Sequence, residues 1–427
     1  MVNWFQKVVL VFKDKQLRNK ILFVLGILVV FRLAASIPIP GIDSENLKRF
    51  FEQSQFFGLM NLFVGGTLSN LSIIMLGLGP YITSVIIIQL LTMIFPQLEK
   101  MFKEEGAAGK QKINQYGRIM TIPLALVQAY AMLSLLQRSG AIGVFSTTQL
   151  ITSLITVAGG AVFLMWLGEL ITEKGIGNGV SLLIFAGIVS RMPTDMRQLI
   201  YSWDPSRLPS YILFFGASLL IIAGVVLITE ARRNIVVSYA KRVRGNKVYG
   251  GSSTFLPINL NPAGVIPIIF ALSILLFPSM IAGFFSGGGG FITSAATGVA
   301  NFLQNAWIHG ALFFILVFLF TFFYTAVTFD PESIANNLQK MGGFVPGIRP
   351  GKTTAQFLHK ILYRILFLGA GFLGIIAVLP SIIQGVTNVQ AFQFLIGGTA
   401  LLIVVSVVLD TWRQVKAQME MREYERF

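Results

Sequence analysis

Leu150-Ile151-Thr152-Ser153-Leu154-Ile155-Thr156-Val157-Ala158-Gly159-Gly160-Ala161-Val162-Phe163-Leu164-Met165-Trp166-Leu167-Gly168 runs without a charge. A helix of about 20 apolar residues crosses the roughly 30 Å hydrocarbon core of a bilayer. The run closes on Glu169, Glu173 and Lys174, turns through Gly175-Ile176-Gly177-Asn178-Gly179, and a second apolar stretch begins at Val180. Two membrane spans joined by a glycine turn are therefore predicted. The second is short and Gly-interrupted, so its backbone needs neighbouring helices to shield it, which puts it inside a bundle.

Working outward, similar runs recur along the chain, and spans are predicted near 21–38, 71–95, 117–137, 149–169, 176–190, 211–229, 262–283, 308–328, 361–383 and 391–410. The predicted fold class is all-α, a polytopic membrane protein in one membrane domain. Of the 427 residues, 54% are hydrophobic and only 12% charged, against roughly 25% charged in soluble domains. Mean hydropathy is +0.74. The N-terminus has signal-peptide character, with Lys13, Lys15, Arg18 and Lys20 before an apolar run ending in Ala34-Ala35-Ser36. It is expected to stay as the first span. Cysteine is absent, which excludes disulfides, thiol nucleophiles and cysteine metal sites. With His309 and His359 the only histidines, no metal or other cofactor is expected.

Basic residues orient the spans, because short cytoplasmic loops retain Lys and Arg. With the N-terminus inside, 26 of the 33 Lys and Arg fall in cytoplasmic segments, six outside, and Arg32 within the first span. Ten spans return the C-terminus to the cytoplasm. The net charge of +15 follows from this bias and calls for no nucleic-acid partner.

Two cytoplasmic loops carry more charge than anchoring requires. Residues 230–260 hold Arg232, Arg233, Lys241, Arg242, Arg244 and Lys247. Ile235 to Ala240 has strand composition, Gly245-Asn246 signals a hairpin turn and Val248-Tyr249 begins a returning strand. In residues 329–360, Pro346, Gly347, Pro350 and Gly351 hold Arg349 and Lys352 in a rigid turn. Such tips suit a polyanionic partner such as RNA or an acidic protein groove. The competing reading is topology anchoring against anionic lipid.

Several patterns resemble enzyme motifs and fail. Gly347 to Thr353 has three residues between its glycines where a phosphate loop needs four, and no soluble α/β domain surrounds it. Glu169 and Glu173 sit at a span end, so helix-end anchoring is favoured over an acid/base pair. No enzyme activity is expected. Apart from Arg32 and span ends the helices carry no ionisable group, which disfavours a coupled transporter and favours a passive conduit. Phe56 to Phe63, followed by Gly65-Gly66-Thr67, is too short to cross and fits either a half-inserted helix or a surface-lying loop.

A series of motifs now carries a resemblance. They are Ser36-Ile37-Pro38-Ile39-Pro40-Gly41, Gly79-Pro80-Tyr81-Ile82-Thr83, Phe163 to Glu169 with the glycine turn after it, Tyr239-Ala240-Lys241-Arg242, Asn261-Pro262-Ala263-Gly264-Val265-Ile266-Pro267, Phe344 to Gly351, and Gly397 to Val405. In order and spacing they resemble the SecY/Sec61 family of protein-conducting channels from end to end.

The resemblance implies a clamshell of two inverted, pseudo-symmetric five-helix halves, 21–190 and 211–410, around a central pore, parting between spans two and seven. It implies a protein-conducting subunit in the bacterial cytoplasmic membrane that translocates unfolded secretory polypeptides and releases transmembrane segments sideways into lipid. Residues 56–71 would be the plug, including Phe57, Leu59, Met60, Leu62, Phe63, Gly65, Gly66 and Thr67. Leu78, Ile82, Ile86, Val180, Ile184, Val265, Ile269 and Ile403 would form an aliphatic pore ring. Apolar walls of this kind exclude ions by dewetting and yield around a moving chain. The two basic loops would dock the SecA motor ATPase and the ribosome. SecE and SecG would be companion subunits, and signal sequences, nascent polypeptides and membrane lipid would be contacts. A polytopic solute permease is the alternative, and it explains the basic loops poorly.

Overall fold

The computed structural model describes residues 14–39, 71–103, 105–138, 145–201, 205–239, 253–285, 306–387 and 398–425, with 140, 142, 143, 242–244, 247–249 and 298. Twelve α-helices lie among them: α1 (Lys15–Ser36), α2 (Gly79–Ile94), α3 (Pro96–Lys103), α4 (Gly106–Arg138), α5 (Thr147–Lys174), α6 (Gly179–Tyr201), α7 (Leu208–Glu230), α8 (Ile266–Phe285), α9 (Ala306–Thr328), α10 (Pro331–Lys340), α11 (Lys352–Thr387) and α12 (Gly398–Glu425). All but the short α3 and α10 overlap the ten predicted spans. By length and composition α1, α4, α5, α7, α11, and α9 continuing into α10, are each able to cross a membrane, and α2 with α3, bent by 108° at Phe95, makes a seventh. Shorter apolar segments occupy α6 and α8.

Helix starts follow local chemistry. Asp14 caps α1, its carboxylate accepting from Gln16 N at 2.9 Å and Leu17 N at 3.2 Å. Ser146 and Gln149 form a reciprocal capping box on α5. The glycine turn ends α5 as predicted, with Gly175 N donating to Ile171 O at 2.8 Å and Gly177 at φ 91°.

Four boundaries differ from the sequence reading. The second helix begins at Gly79 instead of 71, because 71–78 form tight turns, with Leu71 at φ 38° and Gly77 at φ 56°. Those turns are tied to the end of α1 by Ile39 N to Leu71 O at 2.9 Å and Ile73 N to Ile37 O at 3.0 Å. The seventh span begins at Ile266 instead of 262, since Asn261 Nδ2 donates to Gly264 O at 3.0 Å and closes a turn with Gly264 at φ 63°. Residues 352–360 belong to α11 and not to a loop, so Lys352 opens a helix. The fifth apolar span is short as predicted, Gly179–Thr194, but the helix α6 that carries it runs on to Tyr201.

Packing repeats along the chain. In the first half α1 packs on α5 and α6, α2 on α4, α4 on α5, and α5 on α6; in the second α7 packs on α11 and α12, α8 on α9, α9 on α11, and α11 on α12. The halves meet where α6 touches α12 and where α8 touches α2 and α4.

Between α7 and α8 the chain forms β1 (Arg232–Tyr239), β2 (Arg242–Arg244), β3 (Lys247–Tyr249) and β4 (Ser253–Asn259), and β5 (Gly343–Phe344) follows α10. All pairings are antiparallel, in a three-stranded sheet of order β4-β1-β5 and a β2-β3 ribbon. The predicted returning strand at Val248-Tyr249 therefore pairs with β2, while β1 finds its partner in β4, with Ile235 opposite Leu256. Buried Ile235, Ile258 and Val345 pack on Leu358, Ile361, Leu362 and Ile365 of α11. The two basic loops are thus one subdomain on the start of α11.

Contacts at helix ends establish sidedness. Arg118, early in α4, pairs with Glu169 at the end of α5 at 2.6 Å. Leu17, Ile176 and Val415 cluster, and Arg413 pairs with Glu230 at 2.9 Å. The start of α1, the glycine turn, the sheet and the polar end of α12 accordingly share one face.

Candidate functional site: an aliphatic cluster and a basic sheet

Leu78, Ile82 and Ile86 recur every four residues, which stacks them on one face of a helix. Val180 and Ile184 repeat that spacing at the start of α6, and Val265 and Ile269 at the start of α8. Ile403 comes from α12. All eight join one apolar cluster, seven as buried members, from 1% exposed at Ile403 to 7% at Leu78, and Val180 packed against them. The stretches carrying them, 78–94, 180–190, 265–285 and 398–409, contain no Asp, Glu, Lys or Arg. The cluster also takes in residues of α1, α5, α7, α9 and α11, so burial alone does not separate a ring from ordinary packing.

Beside the cluster lies the turn 71–78. Ser72, Ile74 and Met75 are fully buried. The backbone of Ile73 lies so close to Gly160 of α5 that a Cβ there would run into the Ile73 carbonyl. Gly160 is thus required by close approach, a role not assigned to it from sequence. Pro38 and Ser72 form an isolated bridge, so the chain leaves at Ile39 and returns at Leu71 from one point. The plug residues Phe57, Leu59, Met60, Leu62, Phe63, Gly65, Gly66 and Thr67 lie outside the described residues.

Away from that turn, Arg232 and Arg233 are exposed on β1. Arg349 and Lys352 are exposed as well. Ile348 turns inward onto the sheet core, the Arg349 carbonyl accepts from Thr354 Oγ1 at 2.9 Å, and Gly347 and Gly351 take φ 81° and 95°. The Arg349 backbone is therefore held from both sides. Arg242 pairs with Tyr249 and Arg244 with Lys247 in the ribbon backbone; Lys241 lies outside the described residues. Sequence reasoning missed the cluster of Arg413, Asp410 and Glu230: the first two are one helical turn apart, but Glu230 lies 183 residues from Arg413 and meets it only in the fold.

Among the described residues, six or seven helical segments long and apolar enough to cross a membrane, two shorter apolar helices and a shared aliphatic cluster, with a basic sheet on one face, define a polytopic helical membrane protein. Residues 72–412 match the SecY family. The chain is 42% identical over 433 residues to the protein translocase subunit SecY of Corynebacterium glutamicum, covering 97% of this chain and 98% of that protein. It is 42% identical over 427 residues to the SecY subunit of Thermotoga maritima, covering 97% and 96%. Among solved structures it is similar to one described as a protein conducting channel, with a TM-score of 0.66 at 19% identity over 93% of this chain and 91% of that one. It is similar also to Sec61 in a canine ribosome-channel complex, with a TM-score of 0.62 at 18% identity, covering 93% and 91%. The chain belongs to the SecY family.

Proposed function

We propose that this chain is the protein-conducting subunit of a bacterial translocase in the cytoplasmic membrane, with both termini cytoplasmic. Unfolded polypeptides cross it end to end, and hydrophobic segments leave sideways between α2 and α8. The observation that carries this reading is the meeting of Leu78, Ile82, Ile86, Val180, Ile184, Val265, Ile269 and Ile403 in one apolar cluster drawn from four separate stretches of chain. Aliphatic side chains have no fixed hydration to surrender, so they hold ions out when dry and part around any sequence.

The repeated packing of five helices on five supports two halves, 21–190 and 211–410, that open about their α6–α12 contact. Residues 56–71 plug the outer mouth, rooted where Pro38 bridges Ser72. The basic sheet, with Arg349 at its most rigid turn and Arg232, Arg233, Arg242, Arg244 and Lys247 around it, docks the motor SecA and the ribosome; SecE and SecG complete the complex. The test is transport of an unfolded secretory precursor into sealed vesicles by the complex with its motor. Failure of the complete complex to move the precursor, with each component demonstrably assembled, refutes the reading.

A further inference from the structure

Arg413 uses its whole guanidinium. Nε donates to Glu230 Oε1 at 3.0 Å and Nη1 to Asp410 Oδ1 at 3.4 Å, while Nη2 meets both Glu230 and the carbonyl of Thr229. Glu230 and Thr229 end α7, immediately before the sheet, and Glu230 also lies 3.7 Å from Arg232. Asp410 faces the other way: a Cβ on Gly264 would stand 3.8 Å from its Oδ2. Gly264 closes the turn from which Val265 and Ile269 follow. One turn onward, Gln414 Oε1 accepts from Gly177 N at 2.8 Å, just before Val180 and Ile184.

Helical geometry links this node to the aliphatic cluster. Ile403 and Asp410 are seven residues apart, so they point within about 20° of one another, separated by about 10 Å along the axis. Any rotation of α12 that turned Ile403 out of the ring would equally turn Asp410 from the Gly264 turn and strain the Arg413 contacts. A lysine presents a single point of charge and cannot hold three acceptors in fixed directions.

We propose that Arg413 is a positioning residue for the seal, fixing the rotation of α12 so that Ile403 stays opposed to Val265 and Ile269. The proposal rests on the pore-ring reading above. Its reach extends to the sheet, because the same guanidinium grips the residue from which β1 departs.

The experiment measures passive ion leak through the complete channel complex, idle, in sealed vesicles at equal amounts of folded protein. Arg413→Gln and Arg413→Lys are expected to raise leak several-fold, with Arg413→Lys the milder and the melting temperature little moved. In the double variant Glu230→Cys, Arg413→Cys the native chain contributes no other thiol, so a reducible bis-thiol cross-linker can replace the ion pair. Leak should fall towards the native value when the link is closed and return on reduction. Ile403→Asn serves as the reference for the ring itself. If Ile403→Asn leaks and the Arg413 variants do not, or if closing the link leaves their leak unchanged, the positioning role is refuted and the ring stands. If Ile403→Asn does not leak either, the ring reading fails and this proposal with it.

Discussion

Replacing Ile403 by asparagine asks whether the aliphatic cluster is a seal or ordinary packing. Ile403 is 1% exposed, so the substitution gives up most of the roughly 1.5–3 kcal/mol of a fully buried isoleucine. It also strands an amide in apolar surroundings, at about 1–3 kcal/mol. Together these penalise the dry, closed arrangement by about 3–5 kcal/mol. If water enters the ring, the amide finds partners and much of the penalty disappears, so the closed-to-wetted ratio should fall by about 10²–10³-fold. Leu402 is the control, because it is fully buried in the same cluster yet turned about 100° around the helix. Leu402→Asn carries a similar penalty with no wetted state to relieve it, and should lower the melting temperature without leak. Ion flux through reconstituted complexes, normalised to folded protein, separates the two. Equal leak from both variants, or none from Ile403→Asn and Ile269→Asn alike, would refute the ring.

Arg349→Glu and Arg349→Lys should leave the channel folded while reducing motor-driven transport and ribosome binding, glutamate more than lysine; native behaviour of Arg349→Glu in both assays would return Arg349 to topology anchoring. Gly160→Val should force the Ile73 backbone off α5 and lower the melting temperature by several degrees, and an unchanged melting curve would contradict the close approach described above. Glu169→Gln should change stability by about 1 kcal/mol or less, the usual worth of a partly exposed pair such as Arg118–Glu169, and should leave transport intact; a large transport defect at full folding would revive Glu169 as a functional carboxylate. Single cysteines at Ser206 and Ser253 should react from opposite sides of oriented vesicles, and labelling from one side would overturn the assigned orientation.

Helices were the most legible part of the sequence, because an uncharged run of 20 residues has few other uses. Their starts were less so. Residues 71–78 are as apolar as a helix, and only tertiary contacts with Ile37, Ile39 and Gly160 make them turns. The strand β4 was hidden by Pro257, which argues against a central strand. It is accommodated because β4 is an edge of the sheet, where a missing N–H breaks no ladder. Ring candidates could be named only through resemblance, since Ile403 and Leu402 are indistinguishable by composition and both end up buried. Of the Arg413 node only the Asp410–Arg413 spacing of one helical turn was readable, since its other partner Glu230 lies 183 residues away.

The seating of the sheet on α11 has a mechanical consequence. Ile235, Ile258 and Val345 pack on Leu358 to Ile365, and Gly369 lets the helix press on the Leu260 carbonyl, 2.5 Å from where a Cβ would stand. From Lys352 to Leu379 the helix is continuous over 28 residues, about 42 Å of stiff rod. A load applied to the sheet is therefore delivered as torque, with each degree of tilt at the Lys352 end sweeping the far end by about 0.7 Å. α9 and α12, both packed on this rod, lie in its path, so any load borne by the basic surface has a lever into the membrane.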